Sequence, residues 1–407
     1  MGIEIRQPAP DEVRRFLETG AAAFQEELRS EDAERDERVI QRERMFAAYE
    51  GDRLVGTAAD VALTLTVPGA ELPAAGVTFV GVLPTHRRRG ILNQLMRTEL
   101  DAIAARGEPL AILWASEEPI YGRYGYGMAT VRISIEAERD RMRFRGNPTP
   151  VGQVRLVDEE EAARILPPIY ERVRRETPGM FARSEAWWRE YRLPDPEHHR
   201  NGGGPRYFAV LELGGADEAY ARYRVKDDWQ EGVSASSLRV IEAVATSPLA
   251  DRELWRYLFG VDLVQKIHSF LLPVDHPLFL LVTEPRRLRP RAGDGLWLRI
   301  VDVQRALSAR AYAADGALSL ELADAFLPAN AGVWRLEVSG GEARVSHSDA
   351  EPELRLDVAD LGSAYLGGFT FAELARALRV EELAEGALER ADDLFRTRSA
   401  PWCPEIF

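Results

Sequence analysis

Val77-Thr78-Phe79-Val80-Gly81-Val82-Leu83-Pro84-Thr85-His86-Arg87-Arg88-Arg89-Gly90-Ile91-Leu92 reads as a strand, a turn and the start of a helix. Val77 to Leu83 is rich in β-branched and aromatic residues, which suit a pleated surface. From Gly90 onward, Ile91, Leu92, Leu95, Met96 and Ile103 recur at helical spacing on one face. Three arginines and a glycine therefore stand where a helix begins. Free backbone N–H groups and the positive end of the helix dipole meet at such a point. Arginine adds a planar fork that matches a phosphate, and Gly90 lets a ligand approach the backbone. The stretch predicts a phosphate or pyrophosphate site. It is not a Walker loop, because no Gly-Lys-Ser/Thr follows, and the G-x-G-x-x-G glycines of a dinucleotide fold are absent.

Val80-Gly81-Val82 followed by Arg87-Arg88-Arg89-Gly90-Ile91-Leu92 resembles the acetyl-CoA-binding segment of the GCN5-related N-acetyltransferases (GNAT). Arg87 and Gly90 match that family's Arg/Gln-x-x-Gly-x-Gly/Ala pattern, and Leu92 departs from it. With Ala115-Ser116-Glu117-Glu118-Pro119-Ile120-Tyr121-Gly122-Arg123-Tyr124-Gly125-Tyr126-Gly127 further on, and a final Phe407, the chain resembles the Eis (enhanced intracellular survival) branch over essentially its whole length. That resemblance implies an α/β (α+β) architecture: tandem acetyltransferase folds, then a sterol-carrier-protein-like domain.

The order of elements agrees. A short strand at Ile3–Arg6 precedes a helix carrying Val13, Phe16, Leu17 and Phe24, and a charged helix is expected within 26–44. Gly51-Asp52 marks a hairpin, Val61–Val67 a further strand, Gly107 a helix stop, and Leu110–Ala115 a buried strand. The Gly/Pro-rich stretch 146–152 reads as a linker, which sets a first domain at 1–148. Residues 149–291 repeat the pattern of antiparallel strands, one helix and one strand. At the matching turn, Val244 to Arg252, the glycine is missing and one arginine remains, so this second copy is expected to be degenerate. Residues 292–407 open with Leu296-Trp297-Leu298-Arg299-Ile300 and form the third domain, read as a packing and assembly module.

Acetyl transfer to an amine requires the thioester held, its carbonyl polarised, the amine deprotonated and the thiolate protonated. Arg87 to Asn93 are expected to hold the pyrophosphate, and backbone N–H groups around Val80, Gly81 and Val82 to meet the carbonyl and the pantetheine arm. A phenol with a pKa of ~10 suits protonation of a thiolate near ~8.5. The residues alone leave Tyr121, Tyr124 and Tyr126 open. The resemblance implies Tyr121 as general acid, Ser116 and Glu117 on the cofactor, and Phe24, Glu26 and Phe79 lining the amine cleft. It also implies that the terminal carboxylate of Phe407 is the general base, acting through water because an α-carboxyl with a pKa of ~3.5 is a weak base. The substrate it implies is a small cationic amine, plausibly an aminoglycoside acetylated at several positions. Rival readings are a protein-lysine or polyamine acetyltransferase and a CoA-binding regulatory protein without turnover. The family's substrate-cleft tryptophan has no counterpart here.

The net charge of −14 disfavours nucleic acid and suits a cationic substrate. The single cysteine, Cys403, excludes an internal disulfide framework. No apolar run approaches the ~20 residues that span a bilayer, and the N-terminus lacks signal character. A cytoplasmic protein without metal is expected, and the resemblance implies a homo-hexamer. His86 is expected on the surface of its turn, and adjacent His198 and His199 in a loop.

Overall fold

A computed structural model describes residues 2–407, which divide into two compact units. In chain order the first 130 residues supply β1 (Ile3–Arg6), α1 (Val13–Phe24), α2 (Ser30–Val39), β2 (Met45–Glu50), β3 (Arg53–Val67), β4 (Ala70–Val82), α3 (Ile91–Ala105), β5 (Leu110–Trp114), α4 (Glu118–Tyr121) and β6 (Gly127–Met128). Next come β7 (Val131–Glu138), β8 (Gln153–Val157), α5 (Glu159–Arg174), α6 (Glu185–Trp187), β9 (Arg206–Leu213) and β10 (Ala216–Lys226). A small hairpin of β11 (Trp229–Gln230) and β12 (Val233–Ser234) leads to β13 (Ser237–Ala245), α7 (Pro248–Gly260), β14 (Lys266–Pro273), α8 (Leu278–Leu281) and β15 (Arg291–Asp294). The last third holds β16 (Leu296–Ile300), α9 (Val303–Ala309), β17 (Gly316–Ala323), β18 (Gly332–Ser339), β19 (Glu342–His347), β20 (Leu354–Asp357), α10 (Val358–Tyr365), α11 (Phe371–Arg376), β21 (Val380–Glu382) and α12 (Ala387–Phe395).

The first unit comprises the chain to Thr130, Leu296–Arg398 and Ile406–Phe407. Its large sheet has the order β1-β2-β3-β4-β5-β16-β6. Only β4 and β5 pair in parallel, which makes β4-α3-β5 a crossover unit. One face packs Leu95, Met96, Leu100 and Ile103 of α3 against Val77, Val80 and Leu113. The other face packs Phe16 and Leu17 of α1, with Ala33 of α2, against Met45, Ala47 and Ala59. The charged helix expected within 26–44 is shorter, at 30–39, and only Ala33 of it is buried.

Two expected boundaries move. The strand at 296–300 does not open the third domain. It sits in the first sheet, paired to both β5 and β6. Likewise β7 leaves the first sheet at Thr130 and pairs with β14 and β15 in the second, so the first segment ends near 130 and not at 148. The Gly/Pro-rich stretch 146–152 is a loop between β7 and β8.

The second unit, Val131–Gly295 with Ser399–Glu405, carries a sheet ordered β15-β7-β14-β13-β10-β9-β8. It repeats the plan of the first, with one parallel pair, β13–β14, following antiparallel strands. Among the described residues no helix is long and apolar enough to cross a membrane.

The five-stranded sheet β19-β18-β17-β20-β21 completes the first unit. Its helix α10 lies so close to β6 and β16 that backbones touch. A Cβ added at Gly127 would land on the carbonyl oxygen of Ala359, and one at Gly362 would come within 2.6 Å of the Leu298 carbonyl oxygen. Behind this contact Arg299 forms a buried ion pair with Asp324, at 2.7 Å. Gly127→Ala must push α10 off the sheet, and overpacking of this kind costs about 3 kcal/mol. A thermal melt should show a large fall in midpoint, whereas Gly122→Ala, which meets no atom within 4 Å, should leave it nearly unchanged.

Candidate active site

The β3–β4 register decides the shape of the site. Thr57 pairs with Gly81 and Ala59 with Thr78, so one residue of β3 stands opposite two of β4, Phe79 and Val80. This bulge puts Phe79 at φ +53°, an uncommon conformation for an aromatic residue. The Thr57 hydroxyl holds it by donating to the Phe79 carbonyl at 2.7 Å. On the other edge of β4 the parallel pairing covers only Ala74–Leu110, Ala75–Ala111 and Gly76–Ile112. Beyond Gly76 the two strands part, and among the described residues no strand pairs with the β4 edge that carries Val80 and Val82. Backbone donors and acceptors there are available to a ligand.

Gly81 also has a packing role. A Cβ there would meet the Ala23 Cβ at 2.8 Å, so the glycine admits α1 against the strand. The three arginines also differ. Arg87 donates to the carbonyls of Val82, at 3.3 Å, and Ala23, at 3.0 Å, tying the turn to α1. Arg89 pairs with Glu50 at 2.5 Å. Arg88, at φ +63°, is exposed and forms no side-chain hydrogen bond or ion pair among the described residues. Of the three, Arg89 alone has its charge compensated by an ion pair among the described residues. His86 is buried, contrary to expectation, with Nε2 3.2 Å from Glu50 and Nδ1 2.7 Å from the Thr85 hydroxyl.

Gly90 caps α3 in the left-handed region, at φ +77°, and supplies no side-chain cap. Nothing lies within 4 Å of where its Cβ would be. The first N–H groups of α3, at Ile91, Leu92 and Asn93, thus follow an open surface. Tyr124 donates to the Asn93 side chain at 2.7 Å and stacks edge-on against Phe326.

The structure separates the three tyrosines. The Tyr124 hydroxyl is engaged by Asn93. The Tyr126 hydroxyl is fully buried and has no partner among the described residues. Tyr121 ends α4, just after Ser116 and Glu117 at the end of β5, and its ring meets Tyr126 edge-on at 6.0 Å. Burial pushes the Tyr121 phenol up to about 12, and a hydrogen bond with Ser116 pulls the other way.

On the α1 side, Phe24 is exposed at the helix end and lies near Gly81, Gln25 closes the helix at φ +62°, and Glu26 is exposed. Phe79 packs against Gly20 of α1. The chain end is also in this unit. A Cβ on Gly76 would come within 3.2 Å of the Phe407 ring, so the terminal residue lies over the last paired position of β4.

Residues 4–129 and 179–300 each match an acetyltransferase (GNAT) domain family, and residues 303–404 match a sterol carrier protein domain family. An uncharacterized N-acetyltransferase of Streptomyces avermitilis is 40% identical over 93% of each chain. The N-acetyltransferase Eis of Mycobacterium tuberculosis is 38% identical, covering 86% of this chain and 84% of that one. The crystal structure of Eis1 from Mycobacterium abscessus superposes with a TM-score of 0.86 over the whole of both chains, at 35% identity.

One residue of the site escapes a reading for catalytic motifs. Glu99 lies on the apolar stripe of α3, three and four residues from Met96 and Leu95, and that placement is its signal in the sequence. It is fully buried, and neither carboxylate oxygen has a hydrogen-bond partner among the described residues. Burial first, then the nearby Asp60 carboxylate, raise its pKa well above the usual 4.5. The folded chain therefore keeps a proton that the unfolded chain releases, and stability falls as pH rises from about 4.5 towards the folded value. Glu99→Gln removes that loss. Its melting temperature relative to the parent should climb as pH rises above about 4.5; a pH-independent difference would mean that Glu99 is ionised like an exposed carboxylate.

Proposed function

The chain belongs to the Eis family of GCN5-related N-acetyltransferases, and on that premise we propose that it transfers acetyl from acetyl-CoA to primary amines of a small cationic substrate of the aminoglycoside class, at several positions. The observation that carries this reading is the Phe407 ring packed over Gly76, where β4 and β5 part. In this reading the α-carboxylate of Phe407 is the general base at the opening of the cleft.

The residues around the turn suit acetyl-CoA. The uncapped start of α3 behind Gly90 offers N–H groups and a dipole to a pyrophosphate, and Arg88 is the uncommitted cation beside it. Arg87 and Arg89 flank the same surface and also brace the turn, through Ala23 and Glu50. The unpaired edge of β4 at Val80 and Val82 offers amide groups to the pantetheine arm and to the thioester carbonyl, while Ser116 and Glu117 border the cleft from β5.

Tyr121 stays protonated throughout the physiological range. It donates to the departing sulfur. Because its pKa of about 12 exceeds that of a thiol, ~8.5, its main contribution is a strong hydrogen bond to the developing thiolate. The Phe407 carboxylate accepts the amine proton through water, and direct attack in a ternary complex requires no acyl-enzyme. Phe24 and Phe79 offer apolar walls to the amine, and Glu26 a countercharge. The rest of the acidic run Glu27–Glu37 is a solvated face, with Arg35–Asp32 and Arg38–Glu34 pairs. A net charge of −14 steers cations towards it. The same reading makes the protein cytoplasmic and a homo-hexamer.

Two variants test the chemistry by free-thiol release with acetyl-CoA and an aminoglycoside. Tyr121→Phe should lower kcat by at least ~100-fold, with the KM for acetyl-CoA changed far less. One glycine added after Phe407 should have a comparable effect on kcat. Full turnover in either variant contradicts the role given to that group. Activity on lysine peptides with none on aminoglycosides would keep the chemistry and replace the substrate.

A further inference from the structure

The sheet of the second unit has one apolar face and one polar face. Ile135, Ala137, Leu238, Val240 and Ile267 turn into the core. Their neighbours in sequence point the other way. Across four adjacent strands the register places Arg224 of β10 opposite Arg239 of β13, Arg239 beside His268 of β14, and His268 opposite Glu136 of β7. Like charges directly opposite one another on a sheet are destabilising, and this chain has an excess of acidic residues from which to compensate them.

The compensation present is unequal. Glu136 takes Lys266, at 3.4 Å, and Arg289, at 3.0 Å. Asp195 takes Arg200, at 3.0 Å, and Arg224, at 2.7 Å. Lys226, Arg239 and Arg291 form no side-chain hydrogen bond or ion pair among the described residues. All three line one cavity of about 340 Å³, walled on one side by the loop at Arg200–Gly203. Its lining includes six Arg or Lys side chains and one carboxylate, Glu136. Phe270, 42% exposed, forms a flat rim, with the Arg132 guanidinium 3.8 Å from its ring centre. A volume of this size is at the small end of ligand sites.

We propose that this cavity is an anion site that binds a small phosphoanhydride, with Lys226, Arg239 and Arg291 as its principal contacts. Three uncommitted cations match the charge of a pyrophosphate group, and guanidinium forks match its oxygens. The unfavourable Arg224–Arg239 juxtaposition is relieved when the ligand binds. Pyrophosphate itself and the diphosphate of a nucleotide share this chemistry, and the Phe270 rim offers a surface for a base in the second case. The site lies wholly in the second unit and does not depend on the acetyl-transfer reading.

The test is calorimetric titration of the full chain with pyrophosphate and, separately, with ADP, repeated on Arg239→Gln and Arg291→Gln. The parent should bind pyrophosphate, and each variant should bind about tenfold more weakly. Tighter binding of ADP would assign the ligand to nucleotides; equal binding would assign it to the phosphoanhydride alone. Both variants change exposed side chains and should acetylate amines as the parent does. Without ligand, Arg239→Gln should melt no lower than the parent, since it removes a repulsion. Millimolar pyrophosphate should raise the parent's midpoint and raise that of Arg239→Gln by less. No binding of either anion, or affinities unaltered in both variants, would overturn the proposal and leave the row as a solvated sheet face.

Discussion

The parallel ladder between β4 and β5 stops after three residue pairs, and the first unit is built around that stop. A strand edge left unpaired inside a fold exposes backbone groups that need partners. Two features hold it open. The bulge at Phe79 and Val80, fixed by Thr57, bends β4 away from its neighbour. Gly76, the last paired residue, lacks a side chain, and a Cβ there would fall 2.5 Å from Leu63 and 3.2 Å from the Phe407 ring. Strand, glycine and chain end are thus one constraint, and the turn at Arg87–Gly90 is reached only because β4 runs on past the point of separation.

The second unit builds the same plan with a different turn. Its parallel pair covers Ser237–Lys266 to Val240–Ser269, while β13 continues to Ala245 and carries a bulge at Ile241, opposite Arg222 and Tyr223 of β10. The difference lies at the helix start. Ser247 caps α7 and its hydroxyl accepts from the Ala250 N–H at 3.2 Å. In the first unit the corresponding helix starts at a glycine with no side-chain cap, and those donors stay open. A helix whose N–H groups are satisfied by its own cap has less to offer a phosphate. The two helix starts therefore differ in their capping as well as in their arginines.

Much of this was legible in the residues. The strand-turn-helix at 77–92, the Gly51-Asp52 hairpin and the stop at Gly107 are local patterns, and the chain forms them where they are written. The insertion of 296–300 between β5 and β6 was not legible, because pairing between residues so far apart in sequence leaves no local trace. The Gly/Pro-rich stretch at 146–152 looked like a boundary, whereas the chain crosses between units in the strand-forming sequence at Thr130–Val131. Composition marks exposed loops, and domain borders do not always fall in them. In the site, residue types pointed to the turn and the tyrosines. Which arginine is uncommitted, why Gly81 is small, and that His86 and Glu99 are buried depend on neighbours from α1, β2 and the sheet.

The central claim is that this chain has two related folds and one acetyl-CoA site. Hydrogen exchange of the full chain, with and without acetyl-CoA, tests it most directly. The account predicts slowed exchange at Val80–Val82 and at the start of α3, Ile91–Asn93, with none at the start of α7, near Ala250. Protection at α7 equal to that at α3 would contradict it, as would protection at neither.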